Sequence, residues 1–112
     1  MSRKREHVLI DLWFDDPEVL LRAEPTRGII RSSLERAGAK VLHEHFHQFE
    51  PHGFSGIFII AESHASAHTW VEERFMAVDL LSCGSVDWRI FLEELKRALR
   101  PARETVRCEF RG

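Results

Sequence analysis

Phe54-Ser55-Gly56-Ile57-Phe58-Ile59-Ile60-Ala61-Glu62-Ser63-His64-Ala65-Ser66-Ala67-His68-Thr69-Trp70 holds the run that decides the fold. Ile57 to Ile60 are consecutive large apolar residues, rich in β-formers and too short a run for a typical helix, so a central strand is expected over Phe54 to Glu62. That strand delivers Glu62 and Ser63 at its end. Further strands are expected over Ala67 to Glu72 and Phe75 to Ser82, joined by a turn near Glu73 and Arg74.

Upstream, His7 to Phe14 alternates, with Val8, Ile10, Leu12 and Phe14 on one face, the period of a half-buried strand. Asp15-Asp16-Pro17 starts a short helical turn that must stop near Ala23, because Pro25 cannot continue a helix. Thr26 can cap a second start; Ile29, Ile30, Leu34 and Ala37 then follow helical spacing up to Gly38. Lys40 to Phe49 reads as a strand with Val41, His43, His45, His47 and Phe49 on one face and Leu42 and Phe46 on the other. Pro51-His52-Gly53 turns the chain.

Downstream, Asp87 can cap a helix whose Trp88, Phe91, Leu92, Leu95, Ala98 and Leu99 match amphipathic spacing, and Pro101 closes it. Val106, Cys108 and Phe110 then alternate in a last strand that begins near Thr105. The order β-α-β-β then β-β-α-β implies an α+β two-layer sandwich, a mainly antiparallel sheet with two helices on one face. The other face needs a cover, and a second copy could supply it.

At 112 residues, 44% apolar and 30% charged, the chain fits a single domain, 1–112. A domain this short buries a modest fraction of its surface, which favours a homodimer. The formal charge of -2 is spread among interspersed signs, so no footprint for nucleic acid or an anionic membrane stands out; Arg3-Lys4-Arg5 reads as a solvated terminus. No apolar run approaches the ~20 residues that span a bilayer, and Cys83 and Cys108 lack metal or redox spacing, so a cytoplasmic chain with free thiols is expected.

The segment from Ser55 to Trp70 resembles the self-processing segment of the prokaryotic S-adenosylmethionine decarboxylase proenzyme family. The resemblance runs from the first strand through Phe46-His47-Gln48-Phe49, Gly53, Ser55-Gly56, Glu62-Ser63-His64, His68-Thr69 and Asp79 to Cys83-Gly84. It implies that the Ser63 hydroxyl attacks the Glu62 carbonyl, cuts the chain into a 1–62 β chain and a 63–112 α chain, and leaves a pyruvoyl group made from Ser63. That group would take a substrate amine and act as the electron sink for loss of carbon dioxide. His68 and Ser55 are the implied processing base and hydroxyl, and Cys83 the implied acid that returns a proton to the substrate carbon.

Two rivals stand beside this. His43, His45 and His47, with His52 or His64, could form a zinc or nickel site, but same-face strand neighbours are ~7 Å apart and rarely converge on one ion, so no metal is expected. A processing-dead paralogue that only binds a partner is the other, although Ser55, Ser63, His68 and Cys83 are all present.

The resemblance also implies that Phe49 and Trp70 flank an adenine while Glu72 accepts ribose hydroxyls. The family's usual Leu-Thr-Ile-His-Thr-aromatic-Pro-Glu-X-Gly-Tyr is here Ala65-Ser66-Ala67-His68-Thr69-Trp70-Val71-Glu72-Glu73-Arg74-Phe75, and Glu50 replaces an uncharged residue. Glu50 and Glu73 are carboxylates that a basic amino acid would use, so L-ornithine or L-arginine is the alternative to S-adenosylmethionine.

Overall fold

The computed structural model describes residues 5–112, so Arg3 and Lys4 of the basic start lie outside it. The elements are β1 (Arg5–Trp13), α1 (Glu18–Leu21), α2 (Ala23–Arg36), β2 (Val41–Gln48), β3 (Phe54–Ile60), β4 (Ser63–Trp70), a 3-10 turn (Val71–Glu73), β5 (Phe75–Ser82), α3 (Trp88–Leu99) and β6 (Arg103–Arg111). The strands form one sheet in the order β2-β3-β4-β5-β1-β6, antiparallel throughout. The expected α+β architecture is therefore the observed one.

Alternation explains the layers. Val8, Ile10 and Leu12 of β1, Phe54, Phe58 and Ile60 of β3, and Met76, Val78 and Leu80 of β5 all point to one face. There they share a core with Ile30 and Leu34 of α2 and Phe91, Leu95 and Leu99 of α3. Each fully buried side chain of this kind contributes roughly 1.5–3 kcal/mol. Asp87 caps α3 as its sequence suggests, its carboxylate accepting from the Arg89 amide at 3.0 Å.

Local departures have physical causes. Thr26 does not cap α2; its buried hydroxyl donates to the Val19 carbonyl at 2.9 Å and ties α2 back to α1. Glu24 is extended inside the nominal α2 range, so regular helix starts only with Pro25, where a proline is tolerated. In β2 the register shifts between Val41 and His43, so exposed Leu42 is a bulge. Val41 then pairs with core-facing Ile60 while His43, His45 and His47 pair with Ile59, Ile57 and Ser55 on the open face; Val41 does not share the histidines' face.

The larger departure concerns β4. It starts at Ser63 rather than Ala67, because Ala65 and Ala67 are fully buried core positions. Small residues at core positions of a strand look like loop in a sequence. Gly56 has an equally definite reason: a Cβ there would lie 2.3 Å from the Phe46 ring, which rests on the bare backbone.

Candidate active site

β3 and β4 form a hairpin whose register runs from Ser55 opposite His68 to Ile60 opposite Ser63. Only Ala61 and Glu62 connect them. So tight a connection puts Glu62 in the left-handed region, φ 72, which costs a side-chain-bearing residue on the order of 1–2 kcal/mol. The strained residue is the one whose carbonyl precedes Ser63.

The Ser63 hydroxyl oxygen is buried with no hydrogen-bond partner among the described residues. Leaving such a group unpaired costs about 1–3 kcal/mol. It borders a cavity of about 280 Å³ lined by Arg5, Glu62, Ser63, Leu81, Ser82 and Cys83. His64 pairs with Leu81, so the start of β4 lies beside the end of β5, and Cys83 follows at once. The Cys83 thiol donates to Glu62 Oε1 at 2.8 Å. The structure thus gathers Glu62, Ser63 and Cys83 at one end of the sheet.

Ser55 and His68 form a second cluster. His68 Nδ1 and Ser55 Oγ are 2.8 Å apart on directly paired residues, beside a cavity of about 240 Å³ that His45, His47 and Ser66 also line. The two-residue turn explains their spacing, eight before and five after Ser63, because the hairpin register makes them opposite. Thr69, next to His68, serves the fold: its hydroxyl accepts from the Phe54 amide at 3.0 Å and donates to the Leu20 carbonyl at 3.1 Å.

Five residues of extended strand separate Ser63 from His68, about 17 Å at 3.3–3.4 Å per residue. A base must come within about 3 Å of the proton it takes. One chain therefore does not bring all four implied catalytic groups together.

Phe49 and Trp70 flank the His68 end. The Phe49 ring meets His47 at 4.7 Å, Trp70 stacks on Phe75 at 5.5 Å and lies 6.3 Å from His68, and each is 46% exposed. Glu72 contacts His52 at 3.3 Å. Glu50 is turned to Arg22 at 3.3 Å on the surface, and Glu73 is exposed on the 3-10 turn. Arg74 donates to the Asp15 carbonyl and occupies a left-handed position, φ 53, which is why glycine suits it.

The sequence reading gave no role to the cluster around Asp79. Its carboxylate accepts from His7 Nε2 at 2.6 Å and from the Ser66 hydroxyl, with His64 Nε2 at 3.5 Å, linking β1, β4 and β5. Among the described residues these three, His7, His64 and Asp79, bring possible ligand atoms within 4.8 Å of one another, and the His43, His45 and His47 strip does not. The signal was an acidic residue between Val78 and Leu80 in a strand, legible only once the register placed two histidines beside it.

Burial pushes the Asp79 carboxyl up, but the Ser66 and His7 hydrogen bonds and the His64 and His7 rings outweigh it and hold it below the ordinary carboxylate range. A carboxyl depressed in the folded state stabilises the fold above its unfolded value, ~3.9, and loses that contribution as pH falls through the folded value. Asp79→Asn is accordingly expected to melt below wild type at pH 7, with the gap closing below about pH 4. Melting temperatures of the pair across pH 3–7 check this; a gap independent of pH would contradict it.

The sheet is antiparallel and covered on one face, and its strained hairpin turn sets a buried serine near a thiol. The chain matches the model of the S-adenosylmethionine decarboxylase family over residues 6–112 and belongs to that family. Among its relatives, the S-adenosylmethionine decarboxylase proenzyme of Sulfurihydrogenibium sp. (strain YO3AOP1) is 34% identical over 108 residues, 95% of this chain and 80% of the relative. That of Thermotoga maritima is 37% identical over 114 residues, covering all of this chain and 87% of the relative. The crystal structure of adenosylmethionine decarboxylase from Aquifex aeolicus superposes with a TM-score of 0.87 at 29% identity, covering all of this chain and 93% of that one.

Proposed function

We propose that this chain is the uncut precursor of a pyruvoyl-dependent S-adenosylmethionine decarboxylase, cleaved between Glu62 and Ser63 and completed by a second copy of itself. The observation that carries the proposal is the buried, unpartnered Ser63 hydroxyl beside the left-handed Glu62.

Ser63 Oγ adds to the Glu62 carbonyl carbon, the carbon–nitrogen bond breaks, and the peptide becomes an ester. Loss of the Ser63 α-proton then expels the Glu62 carboxylate and leaves a dehydroalanine; one water enters and one ammonia leaves as the pyruvoyl forms. The strain at Glu62 is released once the chain is cut, which favours cleavage over that of an unstrained peptide. A pyruvoyl group in this position supplies a carbonyl that withdraws electrons as carbon dioxide departs. The orphaned hydroxyl and the adjoining cavity fit a group made at that position.

His68 and Ser55 supply the base and a hydroxyl for the oxyanion, and the 17 Å estimate supports their coming from the other copy. The open sheet face suits a symmetric homodimer, since Ile57 and Ile59 stand 40% and 41% exposed there beside the His68 cluster. Phe49, Trp70 and Glu72 then border the same composite site and hold adenosine, the aromatic faces also suiting a sulfonium. Cys83 returns the proton to the substrate carbon.

Nothing in the geometry favours a basic amino acid. Glu50 is engaged by Arg22, and Arg74 is anchored on Asp15. Among the described residues no helix is long and apolar enough to cross a membrane; a reducing, cytoplasmic setting suits the free Cys83 and Cys108 thiols.

Carbon dioxide release from S-adenosylmethionine, L-ornithine and L-arginine in parallel tests the substrate, with release expected from the first alone. A stacked aromatic is worth about 0.5–1.5 kcal/mol, so Phe49→Ala should lower kcat/KM roughly 2- to 10-fold, and Glu72→Gln should weaken binding, while Glu50→Gln and Glu73→Gln leave it near wild type. Release from ornithine or arginine with S-adenosylmethionine inert would overturn the assignment.

A further inference from the structure

Glu62 has a side chain as well as a scissile carbonyl, and that side chain is occupied. Its Oε1 takes the hydrogen of the Cys83 thiol at 2.8 Å, inside the cavity that also borders Ser63. Resting on the decarboxylase reading above, we propose that Glu62 is a latch on Cys83: it holds the thiol in the uncut chain and releases it when the Glu62–Ser63 bond is cut.

Two features of the hairpin make the latch depend on the intact bond. Ser63 is paired to Ile60, so only Ala61 and Glu62 close the turn, and Glu62 is driven to φ 72. Its side chain leaves the backbone in a direction that this strained conformation sets. Once the bond is cut, Glu62 is a chain end; no turn has to be closed, and its backbone relaxes toward the extended conformations that a side-chain-bearing residue prefers. The carboxylate is carried away from the sulfur.

The consequence is an order of events. A thiol whose hydrogen points into the Glu62 carboxylate does not point it at a substrate carbon, so the proton donor is misdirected until cleavage moves Glu62 away. Cleavage frees it. The same residue thereby serves as leaving group in maturation and as guard of the proton donor before it.

Cysteine alkylation reads this directly, because the chain has two cysteines and Cys108, on β6, is an internal reference. Iodoacetamide labelling of Cys83, located by mass spectrometry, is compared in three full-length proteins: Ser63→Ala, which stays uncut; Ser63→Ala with Glu62→Gly, which suits the left-handed turn and removes the carboxylate; and wild type sampled as it matures. Cys83 is expected to label at least tenfold more slowly in Ser63→Ala than in the double variant, and in wild type to accelerate in step with cleavage, with Cys108 unchanged throughout. Labelling within twofold across all three overturns the latch. If wild type never cleaves and yet the double variant labels tenfold faster than Ser63→Ala, Glu62 does hold the thiol and it is the processing reading that fails.

Discussion

Ser63→Ala is expected to yield one uncut chain with no decarboxylation, a total loss of function from removing one oxygen atom. The hydroxyl is both the nucleophile of cleavage and the source of the electrophile, so no residual path through the same residue exists. Its removal should also stabilise the fold. The oxygen is buried and unpartnered, and replacing it by hydrogen relieves a desolvation cost of about 1 kcal/mol or more. For a chain of 112 residues, each kcal/mol corresponds to a rise of about 4 °C in melting temperature. Gel analysis of Ser63→Ala, and calorimetry of it against wild type isolated before cleavage, test both halves. Cleavage in Ser63→Ala would remove the central role of Ser63, and a lower melting temperature would mean the hydroxyl has a structural partner.

Cys83→Ala separates making the enzyme from running it. The thiol sits beside Glu62 and the cavity, where a proton can be returned to substrate carbon, but it is not the group that attacks the peptide. Cleavage should therefore persist, at least in part, while decarboxylation falls by about 10²–10⁴, the usual worth of a positioned general acid. Without the acid, some turnovers should return the proton to the cofactor side and inactivate the enzyme by transamination. Progress curves that decay with turnover, in a fully cleaved sample, are the expected signature; normal turnover would assign the proton to another group.

Much of this architecture is legible in the chain because most of its elements have clean periodicity. β1 and α3 are set by apolar residues at period 2 and at helical spacing, and their faces follow without reference to anything distant, whereas β3 is marked by the continuous apolar run Ile57 to Ile60, whose two faces only the pairing assigns. β4 is different. Ser63, His64, Ala65, Ser66 and Ala67 have little hydrophobic contrast, because the core over β4 is filled from other elements, so its first four residues look like loop. The Leu42 bulge and the bond from Thr26 to Val19 are equally invisible, being decided by partners rather than by local preference.

The site divides along the same line. Ser63, Cys83, Ser55 and His68 are singled out by a family pattern, and the hairpin register shows why Ser55 and His68 stand where they do. What the pattern does not carry is grouping: Ser63 with Cys83 at one end, Ser55 with His68 well along the hairpin. Nor does it carry the Asp79 cluster, which assembles from three strands only after the sheet order β4-β5-β1 is known.

That grouping makes the account's central claim, a site shared between two copies, open to one measurement. Ser63→Ala and His68→Ala chains, carrying different tags, are co-expressed and the mixed dimers purified. In a mixed dimer the His68→Ala chain keeps its own Ser63 and meets an intact His68 on its partner, so one of two sites is whole. The His68→Ala chain should be cut, and decarboxylation should return to about half of wild type per dimer, although neither parent is active. Mixed dimers in which the His68→Ala chain stays uncut and inactive would show that each chain needs its own His68, and would contradict the account.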